Sequence, residues 1–245
     1  MITEYHRAKD INEALEWLAQ PGMHPLGGGT WLNRPHQEAF GVVDLQELGL
    51  NFIRKTGNNL EFGAVTTLQQ LVEAPDCPVA LKQALRIDFG LNIRNAATVA
   101  GALITGDGRS SFTTTMLALD AKLVITGKNS PGTIGLGEFL PIRPGGLITE
   151  ISIPLNVNCA FEMVARSPKD KPIVCACVVR WPSGRTRLAL GGFGKNPILA
   201  MDGTEPDGID AAARSAFYES GDEWASAEYR INIAATLARR CLESL

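Results

Sequence analysis

Leu26-Gly27-Gly28-Gly29-Thr30-Trp31-Leu32 closes a short apolar run, Met23 to Leu26, with three glycines and a hydroxyl residue. Glycine lacks a Cβ, so the backbone reaches left-handed angles and can approach a ligand closely. Such a turn points several N–H groups at one spot, which suits a phosphate or a pyrophosphate. It equally suits a tight strand-to-loop turn with no ligand, and these seven residues leave both readings open. Two familiar nucleotide motifs are excluded. A Walker-type loop ends in Gly-Lys-Ser/Thr, whereas this run ends Gly29-Thr30-Trp31. The fingerprint G-x-G-x-x-G needs glycine at position 32, which is Leu32.

Met23 to Leu26 reads as a strand running into the turn, and a helix precedes it. Asp10 is a good N-cap and Glu13 completes a capping box. Ile11, Ala14, Leu15 and Leu18 recur at helical spacing until Gln20-Pro21-Gly22 stops them. Ile2–Tyr5 and Gly41–Leu45 add short strands. Gly57-Asn58-Asn59 is a hairpin turn between strands over 51–56 and 60–65. Thr66-Thr67 caps a helix over Leu68–Glu73, and Pro78 to Ile87 forms another. This alternation predicts an α/β or α+β domain.

A second small-residue stretch, Ile93-Arg94-Asn95-Ala96-Ala97-Thr98-Val99-Ala100-Gly101-Ala102, reads as a loop. Ser110 or Ser111 would cap the helix over Phe112–Asp120, aiming its positive end back at that loop. Ala121–Thr126 and Leu147–Pro154 read as strands, and the Gly/Pro-rich region 127–146 between them as loop. Three strand candidates follow, Phe161–Arg166, Ile173–Trp181 and Thr186–Gly192. Two helices close the chain, Asp207–Tyr218 and Ser226–Leu245, the last with Ile231, Ala235, Ala238 and Leu242 as its apolar stripe. Three strands and then two helices make a compact unit, which places a domain boundary near residue 156.

The 245 residues suffice for one large domain or two ordinary ones. A hydrophobic content of 45% with 20% charged residues fits a soluble globular protein. The net charge of −3 gives no reason to expect a nucleic acid or an anionic membrane as partner. No secretion signal and no membrane-length apolar run is visible, so the expected location is cytoplasmic. The cysteines at 77, 159, 175, 177 and 241 form no C-x-x-C pair, against a zinc ribbon or iron–sulfur cluster on this chain. Cys175 and Cys177 would share one buried strand face. His6, His24 and His36 share no metal-ligand spacing.

Taken in order, these stretches resemble the FAD-binding subunit of the molybdenum hydroxylases, the family of the carbon monoxide dehydrogenase medium subunit and the flavin part of xanthine dehydrogenase. Leu26-Gly27-Gly28-Gly29-Thr30 is similar to its first loop, and Arg94-Asn95-x-Ala97-Thr98-Val99-x-Gly101 to its second. Leu117-Ala118-Leu119-Asp120-Ala121, Leu147-Ile148-Thr149-Glu150-Ile151-x-Ile153-Pro154 and Ser226-Ala227-Glu228-Tyr229-Arg230 follow at the family's spacing. The resemblance implies an α+β protein: a two-subdomain PCMH-type FAD-binding domain over 1–156, then a small domain over 157–245 with a three-stranded antiparallel sheet and helices. It implies FAD as the cofactor, held by Leu26, Gly27, Gly28, Gly29, Thr30, Trp31 and Leu32 on one side and Thr98, Gly101 and Ala102 on the other. Ser111 falls where the family binds the adenosine part, and Ile148 where an aliphatic side chain packs near the isoalloxazine ring.

In three places the chain departs from the family. Ala102 replaces an Asn or Ser, Ser111 replaces an aspartate with Asp107 four residues earlier, and Met163 replaces a lysine. No catalytic side chain and no metal site is implied. The partners implied are a molybdopterin-containing large subunit and a 2Fe–2S small subunit, with NAD or another electron acceptor. The alternative is a degenerate flavin fold kept as a structural or assembly subunit.

Overall fold

Residues 1–35, 38–128, 130, 132–168 and 170–245 are described by a computed structural model. His36, and Asn129 and Pro131 of the expected loop, lie outside the described residues. The chain begins with β1 (Ile2–Arg7), α1 (Ile11–Leu18), β2 (Met23–Leu26) and β3 (Phe40–Asp44). β3 lies between β1 and β2 and runs parallel to both. Its five residues are all buried, as a central parallel strand requires. Ala8, Ala14, Val43, Leu45, Leu50 and Leu147 form the small core beneath this sheet. Asp10 caps α1 through the Glu13 N–H, but the Glu13 carboxylate accepts from Lys9 N at 2.8 Å rather than from the cap itself.

A second sheet is antiparallel, in the order β4-β5-β8-β6-β7. Its strands are β4 (Ile53–Thr56), β5 (Asn59–Gly63), β6 (Lys122–Thr126), β7 (Gly132–Gly135) and β8 (Leu147–Pro154). Between them run α2 (Leu68–Glu73), α3 (Val79–Asp88), α4 (Leu91–Ala96), α5 (Val99–Thr105), α6 (Ser111–Ala118) and α7 (Leu136–Ile142). Two expectations are corrected here. The Gly/Pro-rich region 127–146 contains β7 and α7, because Leu136, Phe139 and Leu140 bury together at helical spacing. The second small-residue stretch is two short helices that meet at Ala97-Thr98, since its alanines favour helix over loop.

The remainder holds β9 (Asn158–Val164), β10 (Val174–Arg180), β11 (Thr186–Gly191), β12 (Ile198–Gly203), α8 (Ile209–Ala216) and α9 (Ala227–Glu243). The sheet therefore has four antiparallel strands, ordered β12-β11-β10-β9, where the sequence suggests three. β12 escapes a pattern reading because it is a half-exposed edge strand with no continuous apolar run. β10 divides its side chains between two cores. Cys175, Cys177 and Val179 join the main core with Leu60, Phe62, Leu81, Phe112 and Ile151, while Val174, Ala176 and Val178 pack against α8 and α9. The main core thus passes through residue 156 without a break.

α9 is rotated from the expected stripe. Its buried face carries Arg230, Ala234, Ala235, Leu237, Ala238 and Cys241, leaving Ile231 and Leu242 half-buried. Arg230 is 0% exposed, and Asp222 neutralises it through two bonds of 2.8 and 2.9 Å. Its remaining N–H groups donate to the carbonyls of Ile173, Ser220, Ala225 and Gly192. A buried guanidinium is tolerable only when so fully paired. Among the described residues no helix is long and apolar enough to cross a membrane, and no three His, Cys, Asp or Glu converge as metal ligands.

Candidate functional site

The residues after β2 and the residues between α4 and α5 touch. A Cβ on Gly28 would run into the carbonyl oxygen of Ala96, and one on Gly27 would lie 3.0 Å from Thr98 Oγ1. Gly29 has φ +67°, an angle that side chains disfavour. Each of the three glycines therefore answers a separate steric demand.

Hydrogen-bond accounting separates the two bends. In the first, the carbonyl of Leu26 accepts from Leu45 N at 3.1 Å, that of Gly29 from Asn33 N at 2.9 Å and that of Trp31 from Arg34 N at 3.3 Å. Those three carbonyls are thereby engaged. The N–H groups of Gly27, Gly28, Gly29 and Thr30 donate to no acceptor among the described residues. A run of open backbone donors carries positive potential. Leu26 and Leu32 flank it half-buried, and Trp31 is 44% exposed.

In the second bend the donors are mostly taken. Thr98 caps α5, its Oγ1 accepting from Gly101 N at 3.3 Å. Val99 N donates to Thr66 O at 2.9 Å, Ala100 N to Ala64 O at 3.1 Å, and Ala102 N to Thr98 O at 2.9 Å. What remains is the Thr98 N–H and the Thr98 hydroxyl proton. Ala102 is buried in the main core. Ile148 is buried too, and the residue after it, Thr149, accepts from Ala64 N, whose own carbonyl accepts from Ala100 N. Two hydrogen bonds therefore connect the start of β8 to the second bend.

Among the described residues Ser111 makes no hydrogen bond to either bend. It is fully buried, and its N–H donates to Asp88 Oδ1 at 3.0 Å. Phe112 N and Ser110 Oγ donate to Asp88 Oδ2 at 2.8 and 2.9 Å. This corrects the expectation that α6 aims its positive end at the small-residue stretch: the carboxylate at the end of α3 occupies that end instead. Burial pushes the Asp88 carboxyl up, and the bonds from Phe112, Ser110 and Ser111 only partly oppose the rise. Asp107 is engaged elsewhere, accepting from Arg109 N and pairing with Lys171. Met163 packs half-buried against the main core.

Three structurally important residues gave no sequence pattern. Asp88 meets its partners 22 to 24 positions later. Gly108 exchanges bonds with Gly192 and Gly194, so the Gly191–Gly194 stretch docks the α6 leader onto β11 rather than facing a ligand. Arg143 donates to Ile104 O, Gly106 O and Asn196 Oδ1, holding the far end of α5. An unlike charge at a helix C-terminus is favourable, but nothing in the local sequence marks this one.

The arrangement has the features of a diphosphate cradle. It offers open backbone donors, a free hydroxyl proton, glycines whose Cβ positions are already filled by neighbours, and no carboxylate among its members. Residues 1–156 match the family model described as "FAD binding domain in molybdopterin dehydrogenase". The chain belongs to that family. It is 28% identical to the carbon monoxide dehydrogenase medium chain of Afipia carboxidovorans, over 98% of this chain and 95% of that one. It is 27% identical to the uncharacterized protein YgfM of Escherichia coli K12, over 97% and 94% of the two chains. Among solved structures, a cyanide-inactivated Cu,Mo-CO dehydrogenase superimposes with a TM-score of 0.81 at 25% identity, covering 99% of this chain and 97% of that one. The chain is thus a flavoprotein of the molybdenum hydroxylase class of oxidoreductases, with FAD as its cofactor.

Proposed function

We propose that this chain is the FAD-carrying electron-transfer subunit of a molybdenum hydroxylase. In that role it stands between a 2Fe–2S small subunit and NAD or another acceptor, with substrate oxidised on a separate molybdopterin-containing subunit. Bound FAD supplies chemistry that couples one-electron donors to a two-electron acceptor. The chain itself supplies position. Gly27, Gly28, Gly29 and Thr30 hold the diphosphate through backbone N–H groups, and the Thr98 hydroxyl donates from the facing side, beside Gly101 and Ala102. Leu26, Trp31 and Leu32 cover the turn, and Ile148 provides an apolar wall toward the ring. Residues 1–156 are the flavin-binding part and 157–245 the part that packs beneath it.

The observation that carries this reading is the row of four open N–H groups on a turn that packs against Ala96 and Thr98. The full chain should take up one equivalent of FAD, show visible flavin absorption, and turn over no substrate until its partner subunits are added. A colourless chain that takes up no FAD would restore the scaffold reading. Steady turnover by the isolated chain would make it a self-contained oxidase.

A further inference from the structure

Cys159 on β9 and Cys177 on β10 hold their sulfurs 3.5 Å apart. The two strands are antiparallel neighbours, with Cys159 opposite Val179 and Cys177 opposite Phe161, so the thiols stand diagonally on one face. Closing that gap to a disulfide bond length needs a shift of about 1.5 Å. β9 is the edge strand of its sheet, hydrogen-bonded on one side only, which gives Cys159 room to move. Access is unequal. Cys77, Cys175, Cys177 and Cys241 are buried, whereas Cys159 is partly exposed. Burial pushes the Cys177 thiol up, and those of Cys77, Cys175 and Cys241 up to about 12, so they stay protonated and unreactive on their own.

We propose that Cys159 and Cys177 form a hydroperoxide-reactive pair, with Cys159 oxidised first and Cys177 closing the disulfide between β9 and β10. In the first step the Cys159 thiolate attacks a peroxide oxygen and the O–O bond breaks. Cys159 becomes a sulfenic acid, and the other oxygen leaves as water or alcohol. In the second, the Cys177 sulfur attacks the sulfenic sulfur and its S–O bond breaks. The hydroxide departs as water with the proton from Cys177. Two thiols lose two electrons and one hydroperoxide gains them. The site does not depend on flavin being bound.

The experiment treats the full chain with hydrogen peroxide, counts free thiols after denaturation and maps peptides by mass. The wild type should fall from five free thiols to three, with a cross-link joining 159 to 177. Cys177→Ser should stop at a sulfenic acid on Cys159 that dimedone traps. Cys159→Ser should lose the Cys177 thiol at least roughly tenfold more slowly, because the less buried of the two thiols is gone. Five thiols persisting in the wild type would overturn the proposal. So would a cross-link from Cys159 to Cys77, or equal thiol loss in Cys159→Ser. The wild-type peptide map decides the matter even if a variant folds poorly.

Discussion

Gly27 to Thr30 lie against Ala96 to Ala102, with Gly27 beside Thr98 and Gly28 beside Ala96, yet the two bends use their backbone groups in opposite ways. The first bend bonds through the carbonyls of Leu26, Gly29 and Trp31 and leaves the N–H groups of Gly27 to Thr30 open. The second is a helix N-terminus, but Thr66, Ala64 and its own Thr98 cap have taken the donors that such a terminus normally offers. α6 goes further still, with its end closed by the Asp88 carboxylate. A helix N-terminus near a cofactor is therefore not by itself an anion site. On the proposed reading the open loop is the binding element, and the second bend is chiefly its backstop.

The largest effect should come from forcing the bends apart. In Gly28→Ala the new methyl has no space beside the Ala96 carbonyl, so FAD affinity should fall at least about 100-fold, roughly 2.7 kcal/mol. Retained affinity, read by flavin fluorescence titration, would mean that the contact is not part of the cradle.

Asp88→Asn tests the closed end of α6. It replaces one of the two oxygens that accept from Ser110, Ser111 and Phe112 with an amide NH2, which cannot accept, at a cost of about 2 kcal/mol. Burial holds the folded Asp88 carboxyl above its unfolded value near 4. Its contribution is then fully present below that unfolded value and lost as pH rises through the folded one. Denaturation of the two proteins should therefore show the wild-type advantage shrinking as pH rises from acid toward neutrality. FAD affinity should stay within about twofold if the Asp88 carboxyl serves only to close the end of α6. A large loss of affinity would bring the end of α6 back into the cofactor's reach.

Smaller effects come from the second bend itself. Thr98→Val removes a cap and a hydroxyl donor, so stability should fall by about 1 kcal/mol and affinity about tenfold. Ala102→Ser restores a hydroxyl at a position buried in the core, and affinity should change by less than about twofold. A marked gain would show that the donor absent at 102 matters after all.

What was legible in the sequence was local. β2 and β8 coincide with the runs 23–26 and 147–154, and Thr67 caps α2 with a full capping box to Gln70. The glycine triplet announced its conformation because φ and a missing Cβ are properties of the residues themselves. Whether its N–H groups are open is not such a property. That depends on Leu45, Asn33 and the path of β3, just as the closure of the second bend depends on Ala64 and Thr66, more than thirty positions upstream. The resemblance puts Ser111 where the family binds the adenosine part, but its N–H partner, Asp88 from another helix, is not legible in the local sequence. β12 was missed because an edge strand lacks the apolar run that marks its neighbours.

Residue-resolved amide hydrogen exchange, with and without FAD, tests the asymmetry most directly. Without FAD, Gly27 to Thr30 should exchange rapidly while Val99 to Ala102 are already protected. FAD should slow the first set and leave the second almost unchanged. If Gly27 to Thr30 still exchange rapidly in the FAD-bound protein, while the amides of the second bend become protected, the diphosphate is held by the other side and the account is wrong.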